Sequence, residues 1–178
     1  NTSAKTSFKF SFDLGAVKEF EVIDILWESA YGQVYEIDIS DDAANWQTIY
    51  KQDNGQGGEE IIKIEGSKSR YLRLHCIRRG TQWGFSIYEF KVIAKDALAP
   101  ATPEDVIALS GDNSIVLSWQ SNKEDDFYYY NVYRAGEDER EFKKVNSNPL
   151  KSAGYIDEDV SNGEEYYYFV TAYDYHDN

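Results

Sequence analysis

The sequence predicts an all-β chain built as two β-sandwiches in tandem. Three observations carry this. Runs in which apolar and polar side chains alternate recur about every 8–12 residues, with turn residues between them. No stretch of residues 1–95 reads as a long helix. At residues 96–102 a linker of small residues (Ala97, Ala99, Pro100 and Ala101, with Pro103 directly after) separates two regions of different composition.

Taken in order, residues 1–7 are small and polar and read as a frayed start. Asn1-Thr2-Ser3 fits a glycosylation sequon. Phe8, Phe10 and Phe12 alternate with Lys9 and Ser11, which predicts a strand ended by Asp13-Leu14-Gly15. Val22 to Trp27 is the next, with Ile23, Ile25 and Trp27 on one face, and Glu28 to Gly32 is a loop. From Val34 to Ser40, Tyr35, Ile37 and Ile39 point inward and Glu36 and Asp38 outward. Asp41 to Trp46 is a turn rich in Asp and Asn, with Trp46 expected to pack on the sandwich. Gln47 to Tyr50 is a short strand.

Gln52 to Glu60 holds Gly55, Gly57 and Gly58. No Lys-Ser/Thr and no helix follow, so it is a flexible connector and not a phosphate loop. Ile61 to Ile64 and Tyr71 to Ile77 are strands, with a turn at residues 66–69. Cys76 alternates with Leu72 and Leu74 and reads as a buried, unreactive thiol. After a loop around Trp83-Gly84, the run from Ser86 to Ile93 alternates. Ser86, Tyr88, Phe90 and Val92 take one face; Ile87, Glu89, Lys91 and Ile93 take the other. These make seven runs in the first half. Glu89 lies on a half-apolar face, where a carboxylate needs a cation, a donor or water. A solvated edge residue, an ion pair and a metal ligand all stay open.

In the second half, Ser114 to Trp119 is a strand with Ile115, Leu117 and Trp119 on one face. Phe127 to Arg134 places Tyr130 and Val132 inward. Phe142 to Val145 and Tyr155-Ile156 are short. Glu165 to Tyr173 turns Tyr166, Tyr168, Val170 and Ala172 inward.

Composition narrows the function classes. Formal net charge is −14. Residues 1–100 hold 15 acids against 12 bases, and residues 101–178 hold 17 against 6. Such a balance argues against nucleic acid and anionic membranes as partners, since both need a basic face. A lone cysteine excludes an intrachain disulfide, and no apolar run nears the ~18–20 residues that span a bilayer, so membrane insertion is not expected. The chain begins at Asn1 without Met and shows no signal peptide, so a fragment or processed form is expected. The two histidines, His75 and His176, share no motif, and no His-Cys cluster has zinc spacing and no Gly-x-Ser-x-Gly elbow occurs. Catalysis within this chain is not expected. The acid runs Glu124-Asp125-Asp126 and Glu137-Asp138-Glu139 read as solvated loops.

Three ordered motifs carry a resemblance. They are Leu26-Trp27-Glu28-Ser29-Ala30-Tyr31-Gly32, Ser69-Arg70-Tyr71-Leu72-Arg73-Leu74 and the closing run Arg79-Gly80-Thr81-Gln82-Trp83-Gly84-Phe85-Ser86-Ile87-Tyr88-Glu89-Phe90. Over roughly residues 10 to 94 the chain resembles the discoidin, or coagulation-factor type C, family, and within it the bacterial family-32-like carbohydrate-binding modules. The resemblance implies a discoidin-like jelly roll over residues 1–95 that binds sugars through loops at one end. The family carries more sequence before its Asp-Leu-Gly than this chain does. The resemblance also implies a structural calcium held by Glu89 with the Tyr88 carbonyl, the other ligands lying in that additional segment.

Residues 103–178 resemble a fibronectin type III domain on Pro103, Leu117-Ser118-Trp119, Tyr130-Asn131-Val132-Tyr133-Arg134 and the run from Asn162 to Ala172. Here the resemblance implies a tyrosine corner at Tyr166 and a last strand beyond Asn178.

Sugar recognition needs an aromatic face against the apolar side of a pyranose and planar donors and acceptors for its hydroxyls. Glu28, Tyr31, Arg79, Gln82 and Trp83 supply that set on two loops. The alternative is that Tyr31 and Trp83 are core and Arg79 pairs with Glu28 structurally. The expected role is a non-catalytic carbohydrate-binding and spacer region of a secreted or cell-surface bacterial protein that degrades polysaccharide. The partner would be a polysaccharide or glycan, alongside other domains of the parent chain. An adhesion or structural stalk segment of a surface protein is the alternative.

Overall fold

The computed structural model describes residues 7–139 and 141–178. The Asn1-Thr2-Ser3 sequon lies outside them. The chain divides into two compact units, Asn1–Lys95 and Asp96–Asn178, and the described residues form strands and no helix.

In the first unit, β1 (Phe8–Trp27), β2 (Gly32–Ser40), β3 (Gln47–Gln52), β4 (Glu59–Arg79) and β5 (Ile87–Ile93) form one antiparallel sheet in the order β3-β2-β4-β1-β5. The seven expected runs become five strands. Phe8–Phe12 and Val22–Trp27 are the two halves of β1, and Ile61–Ile64 and Tyr71–Ile77 are the two halves of β4. These strands, 20 and 21 residues long, pair with each other almost end to end. Asp13-Leu14-Gly15 and the turn at residues 66–69 therefore bend strands instead of ending them. The register shifts between Asp13 and Lys18, and Gly15 and Gly66 take φ of 78° and 59°, a region that suits glycine. The Asp13 carboxylate ties the two bends together. It accepts the Gly15 N–H at 2.8 Å and a two-pronged contact from Arg70 at 2.9 Å on each oxygen.

The sandwich is thus a single sheet folded over on itself. The first half of β1 and the second half of β4 form one layer with β2 and β3. The other halves form the second layer with β5. The core between them takes Tyr35, Ile37, Leu72, Leu74 and Cys76 from one layer and Ile23, Ile25, Trp27, Ile62 and Ile64 from the other. Phe12 stacks on Phe90 across the gap, centroids 4.2 Å apart and planes within 9°. Burial raises the Cys76 thiol to about 12, in keeping with an inert core group.

One expected face holds with an addition, and one needs correction. Asp38 faces outward as the alternation requires, yet it is buried. The Arg73 guanidinium covers it at 2.8 Å, Thr48 Oγ1 donates to it at 2.7 Å, and Trp46 lies under Arg73 at 4.2 Å from the ring centroid. Trp46 packs, but on the outer face. In β5, Leu26 pairs with Glu89 and Trp27 with Ile87, so Tyr88 is an extra residue in a bulge. The bulge swaps the faces before it. Ile87 joins Phe90 and Val92 against the core, while Tyr88 is 71% exposed.

The second unit holds β6 (Ile107–Gly111), β7 (Ser114–Ser118), β8 (Phe127–Gly136), β9 (Lys143–Lys144), β10 (Gly154–Asp157) and β11 (Tyr166–Asp174). They form two three-stranded sheets, β10-β7-β6 and β11-β8-β9. Leu117, Trp119, Tyr130, Val132 and Val170 fill the core. The Tyr166 hydroxyl accepts the Ser161 N–H at 3.1 Å, five residues upstream, as a tyrosine corner does. This agrees with a fibronectin type III-like sandwich. Strand β6 was not expected: every one of its residues is exposed, so it carries no buried stripe.

Candidate functional site

Three loops meet at one end of the first unit. Those around residues 28–31 and 80–86 are joined by backbone hydrogen bonds. Glu28 N–H donates to the Ser86 carbonyl at 3.1 Å, Ser86 N–H to Ala30 at 2.8 Å and Gly80 N–H to Tyr31 at 2.9 Å. Buried backbone groups must find partners, and here each loop supplies the other's. The third loop, residues 53–58, lies within the Gln52 to Glu60 stretch whose sequence predicts a flexible connector. It is pinned: Gly55 N–H donates to Gln33 at 2.9 Å, Trp27 N–H donates to Gly58 at 2.9 Å, and Arg78 bridges Gln33 Oε1 at 3.0 Å and the Asp53 carbonyl at 3.3 Å. Beneath it the Tyr35 hydroxyl donates to Glu60 at 2.8 Å, and burial and then Glu60 push the Tyr35 hydroxyl pKa far up.

The glycines were the one signal in the sequence for this third loop. A Cβ on Gly57, which sits at φ 73°, would come within 2.8 Å of the Tyr31 ring, and one on Gly80 would overlap that ring. Tyr31 therefore lies in a slot between two loops that only glycines leave open.

The five expected side chains separate by role. Tyr31 is half-buried and packs against the core, so it props the loops. Trp83 is 60% exposed, which sets aside a core role for this indole. Its neighbour Phe85 packs against the core and anchors the turn. Arg79 is the last residue of β4, paired with Gly32, and not a loop residue as expected. Its exposed guanidinium reaches over the turn and donates from one terminal nitrogen to the Gln82 carbonyl at 3.1 Å. Gln82 is exposed. Glu28 is half-buried, with Ser29 Oγ at 3.5 Å. Among the described residues no ion pair joins Glu28 to Arg79, so the structural pairing does not form.

The calcium expectation meets an incomplete donor set. Glu89 is half exposed and pairs with Lys91 at 3.2 Å. Among the described residues no group of three or more His, Cys, Asp or Glu could hold a metal ion. Calcium takes about 6–8 oxygens, and Glu89 with the Tyr88 carbonyl does not make that site.

Fold and loops together define an all-β module whose aromatic and polar side chains gather at one end. The chain belongs to the F5/8 type C domain family, whose sequence model matches residues 1–90. It is 34% identical over 80 residues to an amylopullulanase of Thermoanaerobacterium saccharolyticum, covering 45% of this chain and 6% of that protein. It is 29% identical over 104 residues to a polysaccharide lyase 8 family protein, HylA, of Enterococcus faecalis, covering 57% of this chain and 8% of that one. Among solved structures, chitosan-binding module 2 of a Paenibacillus sp. IK-5 chitosanase/glucanase, in complex with chitotriose, is 28% identical over 48% of this chain and 69% of its own, with a TM-score of 0.47. The chain spans less than a tenth of the length of these curated relatives.

Proposed function

We propose that residues 1–95 bind a glycan without catalysing its cleavage, and that residues 103–178 act as a spacer after a linker at 96–102. The parent would be a secreted or cell-surface protein that degrades polysaccharide. The observation that carries the binding role is Trp83, an indole 60% exposed on a turn otherwise held by backbone bonds and Phe85. A large aromatic left in water on a rigid loop is suited to stack on the apolar face of a sugar ring. Gln82 and Arg79 flank it with amide and guanidinium groups that match sugar hydroxyls. Family membership and the amylopullulanase and lyase relatives support a polysaccharide setting.

A glycan array probed with this chain and with Trp83→Ala tests the reading. The chain should bind a restricted set of glycans, and Trp83→Ala should lose them while keeping its melting temperature. An array on which the folded chain binds nothing would sink it. Calcium belongs to the proposal only in company. Glu89 and the Tyr88 carbonyl would serve as two ligands of a site that further oxygen donors complete. Calcium should therefore leave the melting temperature of this chain unchanged; a rise abolished by Glu89→Gln would show that the site is already whole.

A further inference from the structure

We infer that the ligand of the Trp83 turn is an acidic glycan, one that carries a uronate carboxylate; this rests on the glycan-binding reading above. The ground is the way the chain disposes of its guanidinium groups. Arg70 pairs with Asp13, Arg73 with Asp38, and Arg134 with Asp157 and Asp159. Arg78 and Arg79 differ. Among the described residues neither has a carboxylate partner. Arg78 bonds to an amide oxygen and a carbonyl, and Arg79 to one carbonyl. With 32 acids to 18 bases, carboxylates are in surplus. Yet these two adjacent cations, both at the loop end, are left to neutral acceptors.

Arg79 is the one positioned for a ligand. The Gln82 carbonyl takes one terminal nitrogen and fixes the side chain over the turn that carries Trp83. A guanidinium has five N–H donors, so most of its donor edge stays directed to solvent. That edge matches a carboxylate in a two-pronged contact, a match that hydroxyls make less strongly. Among the described residues no acid neutralises it: Glu89 is paired with Lys91, and Glu28 makes no ion pair with it. A uronate beside a pyranose face stacked on Trp83 satisfies both groups at once. A neutral sugar would use the indole and leave the cation with water.

The test uses the whole chain and paired probes: trimers of galacturonate, glucuronate and mannuronate, each with its methyl ester, titrated by calorimetry. At least one free acid should bind tenfold or more tightly than its ester at low salt. The advantage should shrink in 0.5 M sodium chloride and vanish in Arg79→Gln, whose melting temperature should be unchanged. Arg79→Lys should keep the charge preference and lose part of the affinity. Should esters or neutral oligosaccharides bind as tightly as the acids, with affinity still lost in Trp83→Ala, the acidic class is wrong and glycan binding stands. No binding to either kind would remove both.

Discussion

The ring of Tyr31 occupies the space that a side chain on residue 80 would need, and the Gly80 N–H donates to the carbonyl of the same tyrosine at 2.9 Å. Backbone contact and ring contact thus join the same two residues. Gly80→Ala forces the ring out of its slot, because a Cβ there overlaps it. Overpacking of this kind costs about 1–3 kcal/mol. Chemical denaturation should show that loss, and glycan affinity should fall with it, since the 80–86 turn loses its seat. An alanine variant as stable as the parent would mean that Tyr31 has another place to go.

Asp38 and Arg73 set a second expectation. The carboxylate is buried on the outer face, and among the described residues Arg73 is the cation that pairs with it. Breaking a buried pair by removing one partner costs about 3–5 kcal/mol. Arg73→Met should therefore lower stability by about that amount, and adding Asp38→Leu should restore much of it. Equal stability of the Arg73→Met variant and the parent in urea unfolding would count against this.

The bend of the first unit responds to pH through Asp13. The hydrogen bonds from Arg70 first, and from Gly15 next, hold its carboxyl below the ordinary value. A depressed folded-state pKa contributes stability above the unfolded value, about 3.9, and that contribution is lost as pH falls through the folded pKa. The parent should melt above Asp13→Asn at pH 6, and the gap should close as pH drops below about 4. A gap that widens in acid would reverse the sign and refute the assignment. Because Asp13 is exposed, the gap should also narrow in high salt.

Much of the core was legible because the inward residues of each strand half fall at period two, even in β1, where Val22 and Asp24 on the other face are buried as well. Ile23, Ile25 and Trp27, then Tyr35 and Ile37, then Leu72, Leu74 and Cys76 all lie where period two places them. What alternation could not show was continuity across a bend. Asp13-Leu14-Gly15 reads as a stop, and only the pairing of β1 with β4 reveals that the strand goes on. The bulge at Tyr88 was hidden for a related reason: it is defined by the partner strand, not by local sequence. In the site, Trp83, Gln82 and Arg79 were visible as residue types. The third loop was not, since its glycines signal freedom unless the Tyr31 ring they accommodate is known.

The last prediction separates binding from stability at Arg79. Sequence alone left two roles open: a rim for ligand, or a structural partner of Glu28. The guanidinium instead donates to the Gln82 carbonyl at 3.1 Å and is exposed. An exposed side chain with one neutral bond contributes little to folding, so Arg79→Ala should shift the melting temperature by no more than about 2 °C. Binding should suffer more. The ligand groups that met the guanidinium would lose charge-assisted partners, at a cost of about 1–3 kcal/mol. Melting temperature and glycan affinity measured on the same variant decide the matter. A folded variant with undiminished affinity would take Arg79 out of the site. A variant that loses several kcal/mol of stability would mean that its bond to the turn matters more for folding than its exposure indicates.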